Sequence, residues 1–507
     1  MSLTRRTLLR SAAVAVPAAA LPTLPATARS TGTTTNAREA AKIDRLVEKI
    51  EAGMAKYAIP GAGLGLWYRG REYVRGFGVT NVDQPSPVTA DTVFRIGSTT
   101  KTFTATAIMR LVEQGRIRLD RPVRAYLPDF RTADPSVAAR ITVRHLLNHS
   151  AGWQGDYFED FGDGDDALAR YVGGVAELPQ LTPLGKVFAY NNAAIGVAGR
   201  IIEVVTGKPY ETATRELVVD PLGLRHSRFF PSELGGFSVA ASHNIVNGKA
   251  VVEPSFYPMP RSLHSVGGLI SSARDQLRYA RFHLGHPGIP HLLSNRARIA
   301  MRSNPGPGGT LFVELDGVGV TWMLRPTLEG PTVVQHGGDW SGQHSGFLMV
   351  PERDFAITLL TNSESGPALV AELFGDDWAL REFAGLSNLP AVPRALPPRR
   401  LAAYEGSYVA NQIGIDGKPG SFGLDLTADK GALVASLDGQ AALRLPFYRK
   451  DYVLALTPDG EPTHSRANFV RGSNGDVEWL RYGGRLFRRQ PADAPKPTLR
   501  PAHRHLL

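Results

Sequence analysis

Ser98 and Lys101 stand three residues apart in the run Phe94-Arg95-Ile96-Gly97-Ser98-Thr99-Thr100-Lys101-Thr102-Phe103-Thr104-Ala105. A short apolar strand runs into Gly97, and the pattern predicts a helix over 98–114, stopped by Gly115. Residues i and i+3 of a helix share a face, which sets Lys101 beside Ser98. At a helix start the unpaired N–H groups and the positive dipole end face outward. A serine hydroxyl is a poor nucleophile until a base takes its proton. A lysine does this where burial and nearby cations push it toward neutrality. The spacing alone is a weak signal, because it arises by chance in a long chain and the same serine serves equally as a plain helix cap.

Further residues arrive in chain order. Phe188-Ala189-Tyr190-Asn191-Asn192 places Tyr190 and Asn192 before an apolar helix. Tyr190 suits a proton shuttle between Ser98 and a leaving group if Lys101 holds the phenol partly ionised. Asn192 suits an amide donor to a substrate carbonyl. Gln335-His336-Gly337-Gly338-Asp339-Trp340 follows a β-prone segment, and its paired glycines let a substrate backbone approach a strand edge. Trp340 is the favoured aromatic for substrate contact. Trp153, Tyr157 and Phe158 suit an apolar acyl pocket or plain loop packing.

These elements and their flanks resemble the serine β-lactamase and penicillin-binding-protein superfamily. The likeness is greatest to its class C β-lactamase-like group, with D-alanyl-D-alanine carboxypeptidases, D-amino-acid peptidases and esterases. It spans roughly 40–380 and includes His145-Leu146-Leu147-Asn148-His149-Ser150-Ala151-Gly152 and Gly267-Gly268-Leu269-Ile270-Ser271-Ser272-Ala273. The resemblance implies an α/β (α+β) fold, a central antiparallel sheet flanked by helices with a helical subdomain. It implies an acyl-enzyme on Ser98, Lys101 and Tyr190 as base and relay, and no cofactor. Asn192, His336, Gly337 and Gly338 would touch substrate, and the backbone N–H groups of Ser98 and Asp339 would form the oxyanion hole.

One element departs from that pattern. Most β-lactamases carry Lys-Thr-Gly or Lys-Ser-Gly where this chain has His336-Gly337-Gly338. A mostly neutral imidazole and a residue without a hydroxyl have lost two features that hold a free carboxylate. The expected substrates are esters, amides and D-amino-acid peptides, with weak penicillin turnover. Arg261 or Arg325 would restore the charge if either reached the site. Two other readings stand beside hydrolysis. One is a peptide cyclase or transpeptidase, in which an amine resolves the acyl-enzyme. The other is a non-catalytic penicillin sensor, which would be expected to lose Lys101 or Tyr190.

The elements that must position these residues read as follows. Apolar Ile43, Leu46, Val47 and Ile50 recur at helical spacing, and 61–79 reads as a hairpin. Helices are expected at 143–147, 193–205 and 272–284, with strands at 333–335, 347–350 and 355–361. The pattern predicts one antiparallel sheet assembled from both ends around a helical insertion. A proline-rich linker is expected at 385–399, so the hydrolase unit occupies 29–384. Beyond it, Asp416-Gly417, Asp438-Gly439, Asp459-Gly460, Asn474-Gly475 and Gly483-Gly484 punctuate short alternating segments. That predicts a small β barrel over 400–490, which resembles the lipocalin-like domains appended to many members of the family. No chemistry is visible in it. A disordered tail is expected over 491–507.

Thr4-Arg5-Arg6-Thr7-Leu8-Leu9-Arg10, a mild apolar run and Ala26-Thr27-Ala28 resemble a twin-arginine export signal over 1–28. Export to a bacterial periplasm or beyond is the expectation. The peptide-cyclising thioesterases that share a two-domain plan act inside the cell, and the signal counts against that role. The chain has 507 residues, a net charge of +10 and no cysteine, which excludes thiol catalysis and disulfides. The charge forms no basic stripe interleaved with aromatics, so a solvated surface is expected rather than nucleic-acid binding. That reading takes in the arginines at 485, 488 and 489. No stretch suits a stable membrane span. His145/His149 and His283/His286 lack the carboxylate of a metal-binding helix, so no metal is expected. The expected partner is a small-molecule or peptide substrate. The oligomeric state is not set by the sequence.

Overall fold

A computed structural model describes residues 37–491. The expected export signal, and the tail from residue 492 on, lie outside the described residues. Helix α1 (Ala37–Lys56) leads into a hairpin of β1 (Gly61–Tyr68) and β2 (Arg71–Gly78). Strand β3 (Val93–Arg95) runs into a tight turn at Gly97–Thr99 and then α2 (Thr100–Glu113). The helical insertion includes α3 (Asn192–Thr206), where Asn191 caps the N-terminus by accepting from the Ala194 N–H. Left-handed Gly207 closes it. Strand β4 (Ile270–Ser272) pairs with β3 and leads into α4 (Ala273–Leu284).

The chain then returns to the sheet through β5 (Gly317–Val318), β6 (Met323–Arg325), β7 (Val333–Trp340), β8 (Gln343–Val350) and β9 (Phe355–Thr361). The seven strands lie in the order β2-β1-β9-β8-β7-β6-β5, antiparallel throughout. The first and last strands of the unit are therefore neighbours, as its two-ended assembly requires. Alternation along β9 shows why it is buried throughout. Phe355, Ile357 and Leu359 pack with Leu46 and Ile50 of α1, while Ala356 and Leu360 pack with Ala273 and Leu277 of α4. A strand covered on both faces gains about 1.5–3 kcal/mol for each large apolar side chain it buries.

Residues 406–489 form a closed barrel of eight strands, sealed by the pairing of Arg444 with Leu456. Each of the five turn dipeptides read from the sequence falls in a hairpin loop between consecutive strands. The proline-rich run before it is held rather than free. The Arg394 N–H donates to Phe447 O at 2.6 Å and the Leu396 N–H to Gly431 O at 2.9 Å. The barrel also pairs with the helical insertion. Ile413 N–H donates to Asp156 O, Phe158 N–H to Ile413 O, and Asp160 N–H to Ile415 O. Among the described residues no helix is long and apolar enough to cross a membrane.

Candidate active site

Strand β3 delivers Ser98 through a tight turn whose geometry needs glycine. Gly97 has φ of +47°, and a Cβ there would stand 2.5 Å from the backbone nitrogen of Asp339. A Cβ on Gly338 would stand 1.8 Å from the carbonyl oxygen of Ile96. These two glycines let β7 press against the Ser98 turn, backbone to backbone. Ser345 on β8 fixes the same contact, its hydroxyl donating to Ile96 O at 2.8 Å. Strand β6 pairs only with Val333–Gln335 of β7. From His336 to Trp340, β7 pairs with β8 on one side, and among the described residues no strand pairs with its other edge.

Lys101 is the second residue of α2 and is fully buried. Its Nζ stands 2.8 Å from Ser98 Oγ and 2.9 Å from the Val266 carbonyl oxygen. Burial holds its pKa well below the usual lysine range. The Arg485 guanidinium pushes the same way and Asp156 opposes it. The Tyr190 phenol is hydrogen-bonded to Ser98, and its ring lies 5.1 Å from Lys101 Nζ. Burial raises its pKa, and the Ser98 hydrogen bond and Arg485 only partly offset that. Burial thus disfavours the charged form of both groups, the ammonium of Lys101 and the phenolate of Tyr190.

Asn192 is buried at the start of α3, and its amide donates to Asp156 Oδ1 at 2.8 Å. Asp156 in turn receives Arg485 Nε at 2.7 Å. Arg485 opens the last barrel strand, and its guanidinium stands 5.6 Å from the Tyr190 ring centroid. The Tyr190 N–H donates to the carbonyl oxygen of Gly484 in the adjoining turn at 2.8 Å. His149 stacks on Tyr190 with ring centroids 4.5 Å apart, and its Nδ1 accepts from the Asn191 N–H at 3.0 Å.

His336 is buried, with Nδ1 2.6 Å from Gly337 O, and burial with Lys101 nearby pushes its pKa down to about 3. It carries no positive charge at neutral pH. The Asp339 side chain is half exposed and lies 3.2 Å from His344 Nδ1. Trp340 is half-buried beside the main core.

The structure thus brings Ser98, Lys101, Tyr190, Asn192 and the β7 edge together. It does not bring in Arg261 or Arg325. Arg261 is bound by Glu211 and Asp165. Arg325 is buried and bonded to Asn388 and to the carbonyls of Phe374 and Gly375. Trp153 and Tyr157 are core residues, the latter stacked on Tyr171. The cation in the site is Arg485, which the sequence presented as one of a cluster of surface arginines. Its partner Asp156 is 329 residues away. The Gly483-Gly484 turn was the only local sign that the chain bends there.

A mixed sheet-and-helix unit with a buried lysine beside a serine next to an edge strand is the plan of a family of serine hydrolases. The Beta-lactamase family profile matches residues 46–379, and the chain belongs to that family. Penicillin-binding protein 4 from Amycolatopsis lactamdurans is 35% identical over 372 residues, covering 71% of this chain and 96% of that protein. Esterase EstB from Burkholderia gladioli is 30% identical over 348 residues, covering 59% of this chain and 86% of that protein. The crystal structure of SurE superposes with a TM-score of 0.68 at 28% identity, covering 89% of this chain and all of that one. A class C beta-lactamase from Rhodobacter sphaeroides shares the fold, with a TM-score of 0.54 at 22% identity over 64% of this chain and 97% of that one.

Proposed function

We propose that the protein is an exported serine hydrolase that forms an acyl-enzyme on Ser98 from esters, amides or D-amino-acid peptides. The observation that carries this reading is a fully buried Lys101 amine 2.8 Å from Ser98 Oγ. Lys101, neutral at rest, takes the Ser98 proton as Oγ bonds to the substrate carbonyl carbon. The oxyanion falls between the backbone N–H groups of Ser98 and Asp339, a device worth about 3–4 kcal/mol per donor. As the tetrahedral adduct collapses, the carbonyl–leaving-group bond breaks. The leaving group takes a proton from Tyr190, which Lys101 replenishes. Water then attacks the acyl-enzyme by the reverse relay. Asn192, His336, Gly337, Gly338 and Trp340 line the substrate's path. Export rests on the twin-arginine pattern.

The relatives support the breadth of this range. One is called an esterase, one a penicillin-binding protein, and SurE was solved with D-Leu. The neutral His336 argues against a substrate whose free carboxylate sits at that end of β7. Fluorophosphonate labelling of the wild type, followed by a panel of p-nitrophenyl esters, D-amino-acid amides and nitrocefin, tests the reading. Ester or amide turnover exceeding nitrocefin turnover is expected. Efficient nitrocefin hydrolysis would remove the substrate assignment, and absence of labelling would remove the mechanism. Adding an amine acceptor to the same assays separates hydrolysis from aminolysis of the acyl-enzyme.

Arg485 gives a second expectation. Its charge helps keep Lys101 neutral. Arg485→Met should raise the lysine's pKa, so the ascending limb of kcat/KM against pH moves upward. At pH 7 one pKa unit of change lowers the rate by at most about tenfold. The variant also leaves Asp156 buried and unpaired, at a cost of about 3–5 kcal/mol in stability. The double variant Arg485→Met/Asp156→Asn should recover much of the melting temperature and, because Asp156 raises the lysine's pKa, part of the original pH limb. An unmoved pH limb in Arg485→Met alone would make Arg485 a structural residue only.

A further inference from the structure

A buried guanidinium sits at the other end of the edge strand. Arg95 ends β3 three residues before Ser98, about 10 Å of chain path at most, and is 1% exposed. Its Nε and Nη1 are buried with no hydrogen-bond partner. Among the described residues the other buried arginines are bonded: Arg298 to carbonyls at 282 and 283, Arg325 to Phe374 O and Asn388, Arg481 to Asn468 and Gly308 O. Among the described residues no carboxylate forms a salt bridge with Arg95. The guanidinium carbon lies 4.5 Å from the centroid of the Tyr257 ring. The Tyr257 hydroxyl is itself buried and unpartnered. A buried charge with neither counter-ion nor acceptor costs several kcal/mol, and proteins seldom keep one without use.

Its place points to that use. The Arg95 N–H donates to Gln343 Oε1 at 2.6 Å, and Gln343 is the β8 residue opposite Trp340. Arg95 therefore lies at the Trp340 end of the β7 edge, away from His336. The segment that carries Tyr257 continues to Met259, whose Cε lies 3.2 Å from where a Cβ on Gly267 would stand, a point 3.6 Å from the Gly97 carbonyl carbon beside the nucleophile. A substrate lying along β7 with its carbonyl at Ser98 would send its leaving group toward His336 and Tyr190. Its acyl chain would run toward Trp340, Tyr257 and Arg95.

We infer that Arg95 and Tyr257 form an anion subsite for a carboxylate on the acyl side of the substrate, several bonds from the scissile carbonyl. This rests on the acyl-enzyme reading above. The guanidinium supplies two unspent donor nitrogens, Nε and Nη1, on different edges of its plane, and the phenol adds an O–H, so a carboxylate could take one charge-assisted bond from an edge of the guanidinium and a second from the phenol. The site thus loses carboxylate recognition on the leaving-group side and keeps it on the acyl side.

Two esters with six-carbon acyl chains test this: p-nitrophenyl hydrogen adipate, which ends in a carboxylate, and p-nitrophenyl hexanoate, which does not. The wild type should prefer the adipate ester by about tenfold or more in kcat/KM. In Arg95→Met that ratio should fall by a similar factor, and Arg95→Lys should retain part of it. Tyr257→Phe should lower the ratio less. Equal or better turnover of the hexanoate ester by the wild type overturns the subsite, whether or not the variants fold. A wild-type preference that survives in folded Arg95→Met also overturns it. Failure of a fluorophosphonate to label Ser98 would instead overturn the acyl-enzyme reading beneath it.

Discussion

Ser98→Ala is expected to abolish covalent labelling by a fluorophosphonate and to lower kcat on any ester or amide substrate by about 10⁴-fold or more. The size follows from the absence of a stand-in. The neighbouring hydroxyls are already committed: Thr99 Oγ1 lies 2.7 Å from Ser345 Oγ, and Thr100 Oγ1 accepts from the Leu269 N–H. Lys101 Nζ reaches one hydroxyl, that of Ser98, and its other partner is a carbonyl. Ser98 is half-buried and packs no core, so the melting temperature should move by no more than a few degrees. Loss of activity with an unchanged melt isolates the nucleophile. Turnover that persists in the pure variant would place the chemistry elsewhere in the molecule.

How much of this was readable in the sequence depends on whether the signal was local. The Ser98 turn, the Asn191-capped helix and the strand pair around β7 and β8 all announce themselves by short-range patterns. Helical spacing at Leu46 and Ile50, and the apolar run of β9, placed the sheet correctly. The barrel was legible because five of its hairpins carry turn dipeptides. The boundaries blurred where packing, rather than propensity, extended an element. Strand β7 continues through Gly337 and Gly338 to Trp340, although two glycines favour a loop reading, because β8 pairs with it along that whole length. What had no local signal was the closure of the site from the barrel. Arg485 looks like any arginine on a basic surface until Asp156 is set against it, and that meeting depends on how two separately folded cores dock. The same holds for Arg95. Its type and place in the nucleophile segment were visible, but its burial without a partner is a property of the packed fold.

Lys101→Met should lower kcat/KM by about 10³-fold or more at neutral pH, since the general base and the proton source for the relay are lost together. The wild-type profile should rise with pH through an ascending limb well below the usual lysine range, because only the neutral amine accepts the Ser98 proton. That limb should be missing from the residual activity of the variant. Stability supplies an independent check. In the unfolded chain Lys101 binds a proton at any pH below about 10.4, while in the folded chain burial keeps it neutral down to its depressed pKa. Between those two values the unfolded state holds more protons, so this lysine makes the protein more stable as pH rises and less stable as pH falls. Methionine removes that dependence along with the hydrogen bond to Val266 O. Whatever constant offset the lost contacts introduce, the melting temperature of Lys101→Met minus that of the wild type should shrink steadily from pH 7 to pH 10. A difference that stays flat over that range would mean Lys101 is protonated in the folded enzyme at neutral pH. It would then be an electrostatic aid to some other base, and Tyr190 would have to carry the first proton transfer.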